Sequence, residues 1–374
     1  MSETQQITRL TMPKWGLTMT EGTVVQWLVG EGEEVSKGDE IIEVESEKIN
    51  NAVESPASGV LRRHVAQEGD VLPVGGLLGV IADASVPDSE IDAFVEGFRE
   101  SFVPQEEEAV SSEPETVEVD GREIQYLKMG EEAATPLILI PGFGGDINIF
   151  VFNQQTLSAE RPVYAIDLPG HGGSSKDVDG GDLAFFVRTV AGFMDALGIE
   201  RAHLAGHSMG GLVAAAFALE HTDRVVSLTL ISSAGLGEEI NGDYVEGFIA
   251  ANRRRQMKDV LGLLFANPEL VNRQLVNDVL RYKRLDGVDN ALRTIAENLF
   301  PGGHQANVLD LGSLRVPVLA VWGSEDAIVP VSHTENLPEG ARVEVIGGSG
   351  HMSHMEEAGR FNRIISGFLS EAER

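Results

Sequence analysis

Residues Ala202–Glu220 read AHLAGHSMGGLVAAAFALE. The opening run HLA is short and apolar, as a buried strand is, and it stops at Gly206. From Gly211 the chain turns alanine-rich and apolar, GLVAAAFALE, which favours a helix. Strand, sharp turn and helix thus follow one another within 19 residues, with Ser208 on the turn between Gly206 and Gly210. Glycine at both outer positions lets the chain bend tightly and pack closely. A lone G-x-S-x-G is a weak signal, because serine between glycines is common in loops; in this context it is the pattern of a nucleophile elbow.

Working outward, short apolar runs alternate with helical patterns from Val117 to the C-terminus: PLILIPGF, VYAIDLPG, VVSLTLISSAG, VPVLAVWGSED and ARVEVIGGSGH. That alternation predicts a mostly parallel sheet covered on both faces. A hairpin is expected at VEVDGREIQYL, where Asp120 and Gly121 supply the turn. Chemistry in such folds sits at the carboxyl ends of the strands. There the sequence places Ser208, then Glu325 and Asp326, then His351 and, three residues on, His354. A serine hydroxyl needs a base to take its proton, and the base needs an orienting carboxylate. The chain order, the elbow and the phrases DLPGHGGSS and GSEDAIVP resemble the α/β-hydrolase family over nearly all of Val117–Arg374. The resemblance implies Ser208 as nucleophile, Asp326 as orienting acid and His351 as general base, with Glu325 and His354 as neighbouring rivals. It also implies oxyanion donors at the backbone amides of Met209 and Phe143, the latter in PGFGGD. Asp167 and His171 in DLPGHG match a family motif and are expected to brace loops. Residues 236–307, charged and helical, are expected to form a cap.

The front of the chain has a different texture. Offset by 37 residues against itself, it pairs Gly22 with Gly59, Val24 with Leu61, Gly32 with Gly69, Gly38 with Gly75, Ile41 with Leu78 and Val44 with Ile81. A duplicated pattern of alternating apolar residues punctuated by glycine predicts two small antiparallel sheets packed as a flattened sandwich of roughly 80 residues. Lys48 falls in SEKINNA, the polar link between the copies, where an ordinary solvated lysine is the plain reading. Residues 22–83, centred on ESEKINNAVESPASG, resemble the lipoyl domains of 2-oxo acid dehydrogenase complexes. Biotin carriers share the duplicated sandwich but set the lysine between methionines, whereas Glu47 and Ile49 flank it here. The resemblance implies lipoate in amide linkage to Lys48.

Between the carrier domain, read as 5–84, and the catalytic domain, read as 117–374, the stretch 85–116 holds ten acidic residues and one basic residue, Arg99. Like charges predict an extended linker. Within it Ile91, Phe94, Val95, Phe98 and Phe102 recur at helical spacing, with Ser89 a candidate N-cap. Such a helix would either dock a partner or pack on one of this chain's own domains, the second being favoured.

Composition narrows the function. A formal charge of −31, from 59 Asp and Glu against 28 Lys and Arg, repels nucleic acid and anionic membranes. The absence of cysteine excludes disulfides and thiolate metal sites. MSETQQITRL lacks a signal-peptide core, and no run reaches the roughly 18 apolar residues of a membrane span, so a soluble, cytoplasmic protein is expected. A lipoyl domain fused to an α/β-hydrolase domain is similar to the dihydrolipoamide acetyltransferase components of bacterial acetoin-cleaving dehydrogenase complexes. That resemblance implies acetyl transfer from dihydrolipoamide to coenzyme A, with a thiamine-diphosphate-dependent acetoin-cleaving enzyme and the flavoenzyme dihydrolipoamide dehydrogenase as partners; a homo-oligomer is compatible with it. The HxxxDG signature of the usual lipoyl acyltransferases is not found, nor is their peripheral-subunit-binding domain. A lipoyl-linked thioesterase and a non-enzymatic carrier scaffold are the rival readings.

Overall fold

The 37-residue repeat folds into two interlocked four-stranded sheets. In the computed structural model the chain divides into two units, Met1–Ser111 and Ser112–Arg374; the residues described are 7–13, 21–46, 49–102, 113–130 and 134–374. The front unit runs through β1 (Thr8–Thr11), β2 (Glu21–Trp27), β3 (Glu34–Val35), β4 (Glu40–Ser46), β5 (Ile49–Glu54), β6 (Gly59–His64), β7 (Val71–Pro73) and β8 (Leu77–Ala82). One sheet has the order β1-β8-β6-β3 and the other β5-β4-β2-β7. Each sheet therefore borrows its edge strand, β3 or β7, from the opposite copy of the repeat. The equivalent pairs Val24 and Leu61, Ile41 and Leu78, and Val44 and Ile81 are all buried between the sheets.

Helix α1 (Asp88–Ser101) belongs to this unit. Its apolar stripe, Ile91 and Val95 with Phe94 and Phe98 beside them, covers Leu77, Val80 and Ala82 on the outer face of β8. That is why every residue of β8 is buried. Arg62 and Arg63 of β6 pin the helix start through Asp88 at 2.8 Å and Asp92 at 2.7 Å. Pro87, not Ser89, is the N-cap residue, and it makes no side-chain cap. The helix begins one residue before Ser89, so that serine lies inside its first turn. Much of the acidic stretch 85–116 is thus structured and packed on its own domain.

The rear unit opens with the expected hairpin, β9 (Glu115–Val119) and β10 (Arg122–Met129), turned by Asp120 and Gly121 at positive φ. There follow β11 (Leu137–Ile140), α2 (Val151–Leu157), β12 (Val163–Ile166), α3 (Leu183–Ala196), β13 (Ala202–His207), α4 (Met209–Glu220) and β14 (Val225–Ile231). Four helices, α5 (Gly242–Ala250), α6 (Arg254–Gly262), α7 (Arg273–Tyr282) and α8 (Val288–Leu299), intervene before β15 (Val318–Gly323). The chain ends with β16 (Arg342–Ile346), α9 (Ser353–Glu356) and α10 (Ala358–Ala372). The sheet order is β16-β15-β14-β13-β11-β12-β10-β9, parallel from β16 to β12. Strands β11, β12, β13 and β15 are buried along their whole length, as a doubly covered sheet requires. Strand order reverses around β11, with β12 on one side and β13 on the other, so the crevice at their carboxyl ends is the site that topology provides.

Candidate active site

Ser208 stands at that crevice, between the end of β13 and the first turn of α4. Its backbone sits at φ 53°, ψ −119°, a conformation costing a non-glycine residue of order 1–3 kcal/mol. Surrounding bonds hold it there: the Ser208 amide donates to Ile231 O at 2.9 Å, and its carbonyl accepts from Gly211 and Ala234. The elbow needs small neighbours. A Cβ on Gly210 would collide with the carbonyls of Ile140 and Pro141, and one on Gly142 would lie 2.8 Å from the Ser208 Cβ.

Gly142 belongs to the turn after β11, which brings the next amide, that of Phe143, to the elbow. Among the described residues neither the Phe143 nor the Met209 amide has a hydrogen-bond acceptor. Met209 is the first residue of α4, where orphan amides and the positive end of the helix dipole coincide. The Phe143 carbonyl accepts from the Tyr244 hydroxyl at 3.2 Å, and its ring meets Phe248 and Phe300 edge-on, so α5 and the end of α8 clamp this loop.

Asp326 and His351 meet beyond β15 and β16. His351 Nδ1 lies 2.9 and 3.0 Å from the two carboxylate oxygens of Asp326. Because a carboxylate only accepts, Nδ1 carries the proton and Nε2 is left as the basic nitrogen. Both side chains are almost wholly buried. Burial pushes the Asp326 carboxyl up, but His351 and the amides of Val329 and Ile328 outweigh it and hold the group below its usual range. Glu325, the rival acid, is exposed. His354, the rival base, is buried, and among the described residues neither of its ring nitrogens has a hydrogen-bond partner. It is wedged among Phe150, His207 and Phe361, and burial drives its pKa to about 3.

The sequence reading did not single out His207, inside the elbow motif itself. Its Nε2 lies 3.0 Å from the carbonyl of His351, to which it donates, and the two rings are 4.6 Å apart. Burial first, and then His351, keep it neutral. His207 thereby ties the loop bearing the candidate base to the strand bearing the candidate nucleophile. Glu356 fixes the same loop from the other side by accepting from the Gly350 amide at 2.7 Å and from Ala266 at 2.9 Å. Neither residue has a pattern that spacing could reveal, since His207 acts on a carbonyl 144 residues on and Glu356 joins Gly350 to Ala266, 90 residues back.

Asp167 and His171 sit apart from this pair. The Asp167 carboxylate accepts from Ile147 at 2.8 Å and Gly173 at 2.7 Å, and burial raises its pKa to about 7. His171 is buried against the Phe143 ring, and burial lowers its pKa to about 4. Both brace loops. Lys48 lies outside the described residues, bracketed by the paired ends Ser46 and Ile49 of β4 and β5.

Two family models match the chain: that of the alpha/beta hydrolase fold over residues 135–358, and that of the biotin-requiring enzymes over residues 8–81. The dihydrolipoyllysine-residue acetyltransferase component of the acetoin cleaving system of Pseudomonas putida is 49% identical, aligned over 97% of this chain and 99% of that protein. The corresponding component of Cupriavidus necator is 47% identical over 96% of each. Among solved structures, the meta-cleavage product hydrolase of Pseudomonas fluorescens IP01 superposes with a TM-score of 0.63 at 26% identity, covering 69% of this chain and 98% of that one. With one family model spanning more than half of it and full-length relatives near half identity, the chain belongs to the α/β-hydrolase fold family and, within it, to the group of the dihydrolipoyllysine-residue acetyltransferase components of acetoin cleaving systems.

Proposed function

We propose that this chain is a dihydrolipoamide acetyltransferase that passes an acetyl group to coenzyme A through Ser208, His351 and Asp326. The observation that carries the reading is the buried His351–Asp326 pair, tied through His207 to the strained turn that presents Ser208. Lys48 is the attachment point for lipoate. The β4–β5 pairing, which reaches Ser46 on one side of the lysine and Ile49 on the other, suits that role. Attached there, lipoate supplies a dithiol on a flexible arm, which raises the effective concentration of its thioester cargo at any site within reach.

Ser208 Oγ adds to the thioester carbonyl as His351 Nε2 takes the hydroxyl proton. The amides of Phe143 and Met209 hold the oxygen that gains charge, and two such preorganised donors lower the barrier by several kcal/mol, about 3 for each. Collapse breaks the carbon–sulfur bond, and the departing sulfur receives the proton from His351, leaving acetyl-Ser208. The coenzyme A thiol then gives its proton to His351 and attacks; the carbon–oxygen bond breaks and Ser208 Oγ takes the proton back. Asp326 keeps the imidazole in the required tautomer and stabilises its cation throughout. An acetoin-cleaving thiamine-diphosphate enzyme would load the arm and dihydrolipoamide dehydrogenase would reoxidise it.

The test is to supply acetyl-dihydrolipoamide with and without coenzyme A to the protein and to its Ser208→Ala variant. Acetyl-coenzyme A formed by the first and lost in the second is the expected result. Acetate formed at the same rate without coenzyme A would make the protein a thioesterase, and no turnover would leave a carrier scaffold. Intact mass of protein produced with lipoate available should show one lipoyl adduct, mapped to Lys48.

A further inference from the structure

Charge on this chain is unevenly spread. Nine Lys and Arg stand against five Asp and Glu between Asn252 and Arg293, in a protein whose total is −31. The excess surrounds one concavity of ≈ 650 Å³ between the α5–α6 link and α7, lined by Asn252, Arg253, Arg254, Asn277, Arg281 and Arg284, with Leu280 and no carboxylate. That volume lies in the range of small-molecule sites. Arg254 Nε donates to Asn277 Oδ1 at 2.9 Å, and Arg281 has a long, exposed pair with Asp278 at 3.6 Å. Arg253 and Arg284 have no side-chain partner among the described residues. Four guanidinium groups around one hollow repel one another, and each presents a planar fork of donors matched to phosphate oxygens.

Helix α5 runs between the neighbourhood of the hollow and the loop that carries Phe143. A second cavity of ≈ 180 Å³ shares Asn252, Leu280 and Arg284 with the first and runs along Ile249–Ala251 at the end of α5. Lys283 fixes that end by donating to the carbonyls of Phe248, Ile249 and Ala251. Phe248, on the same helix, touches the Phe143 ring. From Phe248 to Arg253 the chain advances roughly 13 Å at most, two residues of helix and three of extended backbone. A ligand anchored by the arginines and reacting beside Phe143 therefore needs an anionic head on a long uncharged arm.

We propose that this arginine-lined hollow of the cap binds the adenosine 3′-phosphate and pyrophosphate of coenzyme A, with the pantetheine arm leading its thiol toward Ser208. The assignment rests on the acetyl-transfer reading and adds to it a place for the acceptor. It also gives a strongly acidic protein a place for a polyphosphate: four guanidinium groups and no carboxylate line the hollow, and exposed charges more than a Debye length away, about 8 Å at physiological salt, are largely screened.

The test uses the full-length protein and the double variant Arg253→Ala with Arg284→Ala, both exposed positions. Calorimetry with coenzyme A alone is run at several salt concentrations, and transfer kinetics are run with coenzyme A and with pantetheine as acceptors. The expected result is at least a tenfold weaker Kd for coenzyme A and a shallower dependence on salt. The ratio of the pantetheine KM to the coenzyme A KM should fall at least tenfold, with the thermal midpoint unchanged. An unchanged coenzyme A Kd and KM ratio would overturn the site while leaving acetyl transfer standing. Coenzyme A binding by a wild type that forms no acetyl-coenzyme A, lost in the double variant, would uphold the site and sink the transfer reading instead. A defect confined to the KM of the lipoyl-borne substrate would show that the arginines receive acidic protein, and would overturn the proposal.

Discussion

Asp326 accepts from two amides and from His351 at once, so of the two adjacent carboxylates it is the one that meets the imidazole. Asp326 Oδ1 takes Ile328 N at 2.8 Å and Val329 N at 3.0 Å, so the carboxylate is fixed before it meets the imidazole. Glu325 has one more methylene and points to solvent, a difference that side-by-side residues in a sequence do not display. The same holds for His351 and His354: the pair Asp326–His351 is made at 2.9 Å, while His354 is enclosed by rings. Asp326→Asn should keep the fold and lower kcat for acetyl transfer by roughly four orders of magnitude, because an amide nitrogen facing Nδ1 favours the wrong tautomer. Single-turnover acetylation of Ser208, followed by mass, measures it; a loss below tenfold would remove Asp326 from the role. Gly142→Ala is expected to cost activity as well, since its Cβ would press within 2.8 Å of the Ser208 Cβ and displace the Phe143 amide.

Among the elements, α1 shows most clearly what periodicity can say. Spacing of Ile91, Phe94, Val95 and Phe98 predicts an amphipathic helix, and the helix is there. Spacing cannot say which surface receives it. That surface is the outer face of β8, whose Leu77, Val80 and Ala82 would otherwise be exposed. Replacing Ile91, wholly buried, by alanine should destabilise the front unit by about 3 kcal/mol. Urea unfolding of that unit ending after Phe102 would show it, and ending the chain after Asp83 should cost at least as much. An unchanged midpoint in both would mean that the helix is not part of the domain's core. Helix α4 makes the complementary point: it is apolar on all sides, so it has no stripe to read, and its burial follows from lying between the sheet and α3.

At the scale of the whole chain, acid stability follows from buried neutral histidines. Burial holds His171 at about 4, His354 at about 3, and His203 and His207 below the ordinary value of 6.5. A depressed folded pKa means that the unfolded chain binds protons first as pH falls. Stability is therefore full above pH 6.5 and declines toward pH 4, by about 1.4 kcal/mol per pH unit for each such group. Asp167 has the opposite sign: raised to about 7, it favours the folded state at low pH and loses that contribution as pH rises through 7. Urea titrations at pH 7.5 and pH 5 should show the acid loss, and His354→Leu should reduce it by one proton's worth. A pH-independent midpoint across that interval would contradict the burial of these rings.

The sequence by itself determined the two architectures, because glycine spacing, alternation and the strand–turn–helix of the elbow are local or repeat over short distances. It also placed Ser208, Asp326 and His351 at strand ends, since a parallel sheet sends successive strand termini to one edge. Only the tertiary structure decided which acid meets which base, that His207 ties the base-bearing loop to the elbow, that α1 seals β8, and that scattered arginines of α6, α7 and their links surround one hollow. These depend on burial and on contacts between residues far apart in the chain, where hydrogen-bond geometry and desolvation, not spacing, select the partner.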